Sequence, residues 1–194
     1  VAVKSSPLDS IFQTLREIAR DTARRLGKDV RLHLAGEGAG WEGNDLSRLQ
    51  EALVQVLQNA IDHGIEASDA REKIGKSRTG QIWVEFSEGN AESVVTVRDD
   101  GAGVDVAAVH RKAVGLGLVA SPSALAAEDT LALLFQPGFS TKKTVTEVSG
   151  RGIGLDIVQS VADSFSGKVE IDTTRGKGTT LILRFPRKTR ATAA

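Results

Sequence analysis

The chain has 194 residues, room for one α/β domain with a substantial core and too few for two ordinary domains with a linker. Lysine plus arginine equals aspartate plus glutamate at 25 each, so no overall basic field favours nucleic acid or an anionic membrane, and any anion site must be local. The absence of cysteine excludes disulfides, thiolate metal sites and a cysteine nucleophile and fits a reducing cytoplasm, and no stretch approaches the roughly 18 apolar residues of a membrane span.

In chain order, "VAVKSSPLDS" carries no apolar core of signal-peptide length. Ile11, Leu15, Ile18, Thr22 and Leu26 then step by three and four between Pro7 and Gly27, which predicts a helix with start and stop signals. Val30, Leu32 and Leu34 alternate as in a half-buried strand. From Asn44, a candidate N-cap, a second helical pattern runs through Leu46, Leu49, Leu53, Val56 and Leu57 to Gly64. "QIWVEFS" and "SVVTVR" read as a hairpin turning at Gly89-Asn90, the second strand ending at Val97. The region from 104 to 146 is the least regular, with two short helical patterns around a small-residue stretch. A third strong helix follows "SGRGIGL", and "KVEIDTT" and "TTLILRFP" close the chain around a Gly-Lys-Gly turn. Helices grouped against an antiparallel-rich sheet predict a two-layer α/β sandwich on a mixed, mostly antiparallel sheet, not a doubly wound parallel one. The domain is expected over 1–187, with 188–194 a disordered tail or linker, the whole resembling a piece cut from something longer.

Four short patterns carry candidate chemistry. Gln55, Asn59, Asp62, His63 and Glu66 share one polar face of the second helix, which solvation alone would explain; an amide oxygen at Asn59 is nevertheless a hard ligand suited to Mg²⁺. "DDGAGVD" follows the hairpin, with Asp99-x-Gly101-x-Gly103. It reads as a strand-to-helix turn, or as a carboxylate beside bare backbone that accepts an exocyclic amine and admits a flat ring, as adenine would require. Gly150, Gly152 and Gly154 precede a helix, where backbone N–H groups and the macrodipole favour phosphate, although neither a dinucleotide fingerprint nor a P-loop is present. Upstream, Phe139, Ser140, Thr141 and Lys142 lie in a polar loop that is either plain surface or a lid. "GKGTT", 176 to 180, is by itself a hairpin turn.

That order of motifs resembles the Bergerat ATP-binding fold of gyrase, MutL and histidine kinases. Within it, "NAIDHGIEASDAREKIGKSRTGQI", "VRDDGAGVD" and "LFQPGFSTKKTVTEVSGRGIGLDIV" are similar to the ATP-binding catalytic domain of CheA-type chemotaxis histidine kinases, a match that runs from about Pro7 to Pro186. The resemblance implies that Asp99 holds the adenine amine while Gly101 and Gly103 let the ring in. It implies that Asn59 ligates Mg²⁺ on the phosphates of ATP, with Asp62 and His63 nearby. Gly150, Gly152 and Gly154 would face the phosphates, Phe139 to Lys142 would form the lid, and Thr180 would lie near the base. The implied partners are a histidine-containing phosphoacceptor domain and, beyond it, a response regulator and a receptor-coupling protein, with no nucleic acid and no membrane insertion.

One departure bears on chemistry. Four residues before Asn59 the family carries histidine, and here Gln55 stands; an amide cannot titrate, so proton transfer there is lost while hydrogen-bonded orientation remains. The expected function is therefore transfer of the γ-phosphoryl of Mg-ATP to histidine, with a nucleotide-dependent regulatory module as the alternative. The glycine-rich, polar stretch from 137 to 152 is expected to be disordered without nucleotide.

Overall fold

The computed structural model describes residues 7–36, 41, 43–119, 125–139 and 154–187. Five strands form one sheet: β1 (Val30–Gly36), β2 (Gly80–Glu88), β3 (Glu92–Asp99), β4 (Lys168–Thr174) and β5 (Gly178–Pro186). Their spatial order is β1-β2-β3-β5-β4, with β1 parallel to β2 and the other three pairings antiparallel. The sheet is thus mixed, mostly antiparallel and open, as the element order predicts. The predicted 188–194 tail lies outside the described residues.

Helix α1 (Pro7–Leu26) and helix α2 (Gly43–Asn59) pack on one side of that sheet with α6 (Asp156–Ser164). Leu8, Ile11 and Leu15 of α1 and Leu49, Leu53 and Leu57 of α2 are essentially inaccessible, and they meet Ile82, Val84, Val95 and Leu183 of the sheet. Period-2 alternation does the sorting: Ile82, Val84 and Phe86 point to the helices, while Trp83 and Glu85 point away. On that far face Trp83 stacks on His33 and carries the Arg98 guanidinium 4.0 Å from its ring centroid.

Two boundaries differ from the sequence reading. Helix α2 begins at Gly43, so Asn44 lies inside its first turn. Strand β3 runs two residues past Val97, because Arg98 and Asp99 continue the pairing with β2 at Trp83 and Ile82. The alternation that buries Val95 and Val97 therefore also buries Asp99.

A smaller cluster forms where α4 (Val106–Gly115) meets α5 (Ala127–Ala132) and the 3-10 turn Leu133–Phe135. Asp105 caps α4, its carboxylate accepting from the Ala108 N–H at 2.9 Å. Among the described residues no helix is long and apolar enough to cross a membrane.

Candidate functional site

The site is built at one end of the sheet, where α2 stops and β3 stops beside it. Helix α2 does not end in an ordinary cap; it widens into a π turn, Ala60–Gly64, closed by Ile65 N–H on the Ala60 carbonyl at 2.8 Å. The widening breaks the three-and-four spacing after Asn59. Asn59 and Gln55 remain on α2, half-buried, and Gln55 Nε2 donates to Asn59 Oδ1 at 3.3 Å. Asp62 and His63 lie in the π turn, their side chains 3.7 Å apart. Glu66, expected on the same helix face, is past the helix altogether.

Three cations hold this turn and the strand end beside it. Lys28, at the end of α1, donates to the carbonyls of Ile61, Asp62 and Ile65, each at 2.7 Å, and so satisfies the carbonyls that a helix end leaves open. Burial lowers its pKa against the opposing charges of Asp62 and Glu66. Arg71, on α3 (Ser68–Lys73), is 1% exposed and bridges Glu66 and Asp100, each at 2.8 Å, while its Nε donates to the Ser77 carbonyl. Lys76 reaches Glu66 and the carbonyls of Asp100 and Gly101 at 2.7 to 2.8 Å. Burial pushes the Glu66 carboxyl up, but its hydrogen bond to Lys76 and the two cationic charges outweigh that and leave it below the ordinary value.

Asp99 sits beside this lattice without a cation partner among the described residues. It is 7% exposed, and its Oδ1 accepts from the Gly101 N–H at 2.8 Å. Burial pushes its carboxyl up to about 6, against the Gly101 and Thr179 N–H groups, with the charges of Asp100 and Glu66 adding to the rise. The glycines around it are packed against backbone. A Cβ on Gly101 would stand 2.1 Å from the Gly64 carbonyl oxygen, and one on Gly64 would stand 3.2 Å from the Asp99 carboxylate. Gly103, at φ 71°, lies against the Thr174 carbonyl. In this chain, then, Gly101 and Gly103 first admit neighbouring backbone, the Gly64 turn and the β4 end.

Other sequence-predicted residues have surroundings of their own. Thr180 pairs with Arg98 and lines a shallow pocket with it, Asp99 and Asp100. Thr179, one step along, lies on the side of Asp99 and turns its N–H to that carboxylate. Phe139, expected in a lid, is 4% exposed within the α4–α5 cluster, its ring 5.6 Å from the Lys112 ammonium. Gly154 and Ile157 donate their N–H groups to the Asp156 carboxylate at 3.1 and 3.0 Å, so this acid already satisfies part of the α6 start that phosphate would otherwise use. Ser140, Thr141, Lys142, Gly150 and Gly152 lie outside the described residues.

Sequence reasoning did not single out Lys28, Arg71, Lys76, Gly64 or Thr179. Counting alternation back from Leu183 and Leu181 would have reached Thr179. Arg71 lies inside the stretch "NAIDHGIEASDAREKIGKSRTGQI" that carries the resemblance, but no local spacing marks it as buried.

A buried acid at a strand end, an Asn-bearing helix beside it and a helix layer over one face of a mixed sheet describe a nucleotide-binding ATPase domain. The chain belongs to the family of histidine kinase-, DNA gyrase B- and HSP90-like ATPases, matched over residues 44–189. It is 36% identical over 186 residues to the chemotaxis protein CheA of Cereibacter sphaeroides, covering 96% of this chain and 27% of that protein. It is 35% identical to the sensor histidine kinase CheAY of Helicobacter pylori, covering 94% and 23%. The chain thus spans about a quarter of the length of these relatives. Among solved structures, the catalytic domain of the histidine kinase ThkA superposes with a TM-score of 0.56 at 18% identity, over 93% of this chain and 92% of that one. The blue-light activated histidine kinase of Erythrobacter litoralis gives a TM-score of 0.52 at 14% identity, over 91% and 65%. The sheet and helix layer are those of a histidine kinase catalytic domain, and the sequence is CheA-like.

Proposed function

We propose that this domain binds Mg-ATP and transfers the γ-phosphoryl group to a histidine on a separate phosphoacceptor domain, feeding a chemotaxis-like response regulator. The observation that carries the reading is Asp99: a buried carboxylate with no cation partner among the described residues, on a turn that four hydrogen bonds from Arg71 and Lys76 hold in place. A buried charge left without a salt bridge costs stability, and an exocyclic adenine amine would supply the missing donor.

The residues present fit magnesium in one limited way. Among the described residues no three His, Cys, Asp or Glu side chains converge, so the ion would take most of its ligands from phosphate and water, with Asn59 Oδ1 as the protein's oxygen. Magnesium would neutralise phosphate charge there. Asp62 and His63, in the π turn that follows Asn59, would lie near the same phosphates. Gly150, Gly152 and Gly154 would offer backbone N–H groups, with Asp156 releasing those it holds, and Ser140 to Lys142 would close over the nucleotide.

In the transfer, the bond from the γ-phosphorus to its bridging oxygen breaks as a bond to an imidazole nitrogen forms, and the imidazole loses one proton. Gln55 cannot take that proton. Its amide instead donates to Asn59 Oδ1 and keeps that oxygen oriented, which serves a reaction governed mainly by positioning and electrostatics. The same substitution supports the second reading, a nucleotide-dependent regulatory module, because general-base assistance is worth roughly a hundredfold to ten-thousandfold.

The test is transfer of labelled γ-phosphate from Mg-ATP to the parent protein's phosphoacceptor domain, supplied in trans. Transfer by the unaltered chain, abolished in Asn59→Ala, is the expected result. ATP binding with transfer only after Gln55→His would assign the regulatory role, and no ATP binding at all would overturn both.

A further inference from the structure

The chain is neutral overall, yet arginine is concentrated on one surface that the nucleotide site does not use. Arg16, Arg20 and Arg24 recur every fourth residue along α1 and so form a single row on its outer face. A groove of about 620 Å³ runs between that row and β1, and Arg31 lies at its rim, its side chain turned to the far face of the sheet because Val30, Leu32 and Leu34 take the inward positions. All four are exposed. Arg20 has only a solvent-exposed contact with Asp21 at 3.5 Å, and among the described residues Arg16, Arg24 and Arg31 have no ion-pair partner. The carboxylate within the groove, Asp29, is engaged by the Ser68 hydroxyl at 3.0 Å and the Arg78 guanidinium at 3.3 Å.

The floor of this groove differs from its walls. Ala19 and Ala23, one turn apart on α1, leave a shallow slot where larger side chains would close it, and Val30 and Leu32 line its other side. Strand β1 is an edge of the sheet, hydrogen-bonded to β2 on one side, and no described strand pairs with its other side. An edge of unpaired N–H and C=O groups is a template for a further strand.

We infer that the α1–β1 groove docks an extended acidic peptide segment, which adds its backbone to the free edge of β1 and sets carboxylates against Arg16, Arg20 and Arg24. Backbone pairing on a sheet edge supplies affinity in such a mode, and the side chains at alternate positions supply selectivity. Guanidinium groups match carboxylates in planar, two-pronged geometry, which favours an acidic peptide over a neutral one. A single-stranded nucleic acid would also meet the positive charge, but it binds by stacking bases on aromatic rings, and none of the described residues lining the groove is aromatic.

The probe is a short fluorescein-labelled peptide of alternating glutamate and valine, titrated with the full chain at low salt and followed by fluorescence anisotropy. The double variant Arg20→Gln, Arg24→Gln alters two exposed side chains, so its melting curve and its binding of a fluorescent ADP analogue are expected to match the unaltered chain. Its affinity for the peptide is expected to fall about tenfold, and raising salt should weaken the unaltered chain's binding likewise. A peptide with alternate backbone amides N-methylated should lose binding, and amide NMR signals of Val30 to Gly36 in the unaltered chain should shift on adding the unmodified peptide. Absence of peptide binding overturns the inference, as does equal binding of the methylated peptide. Tighter binding of oligothymidylate through the same arginines would overturn it in favour of nucleic acid. None of these outcomes depends on whether the chain transfers phosphate.

Discussion

The turn after β3 has two sides, and adjacent acids face them. Asp100 is anchored by Arg71 at 2.8 Å, receives the Gln81 N–H at 2.9 Å, and lends its carbonyl to Lys76. Asp99, one residue earlier, points into the domain against Gly64 and Gly101 with backbone N–H groups and, among the described residues, no cation. The two residues are chemically identical. What separates them is strand alternation, which turns one toward the cationic clamp and the other toward the buried end of α2. The clamped side is a scaffold, and the side without a cation is the one with capacity left for a ligand.

The largest expected effect comes from breaking the clamp. Arg71→Met leaves Glu66 and Asp100 without their shared guanidinium inside the domain, and should cost about 3–5 kcal/mol in urea unfolding, as removing one partner of a buried ion pair does. A loss below about 1 kcal/mol would mean that the clamp is incidental.

Asp99→Asn tests the other side. With the folded pKa raised to about 6 from an ordinary 3.8, Asp99 favours the folded state fully below about pH 4, and that contribution is lost as pH rises through about 6. Ionised Asp99 therefore burdens the domain at neutral pH. The Asn variant should be more stable at pH 7 by about 1–3 kcal/mol, lose the difference at pH 4, and bind ADP much more weakly. Equal stabilities at pH 7, or retained ADP affinity, would remove Asp99 from the role proposed for it.

Gly101→Ala probes the seam between the sides. Its Cβ would collide with the Gly64 carbonyl, so the turn must shift, at about 1–3 kcal/mol by calorimetry and with weaker ADP binding. The smallest effect is a control. Arg78 also contacts three carboxylates, those of Asp29, Asp69 and Glu72, but it is 54% exposed, and Arg78→Ala should leave the melting temperature unchanged within error. A large loss there would show that the number of ion pairs, and not burial, sets the strength of the Arg71 clamp.

Local pattern carried much of this protein. Three- and four-residue spacing in α1, α2 and α6 and alternation in β2 and β3 are properties of neighbouring residues, so the elements, the two-layer arrangement and the mostly antiparallel sheet were legible from the chain alone. The motifs around Asn59, Asp99 and Gly154 were legible because glycine and a short polar residue at a strand or helix end leave a local mark. Which carboxylate is clamped and which is not, the burial of Arg71, the Thr179 N–H that meets Asp99, and the row of α1 arginines beside β1 were decided only in the tertiary structure. Each depends on residues far apart in sequence meeting across a register or a crossing. Burial and pairing, which set the worth of a charge, belong to the folded whole and not to any one segment.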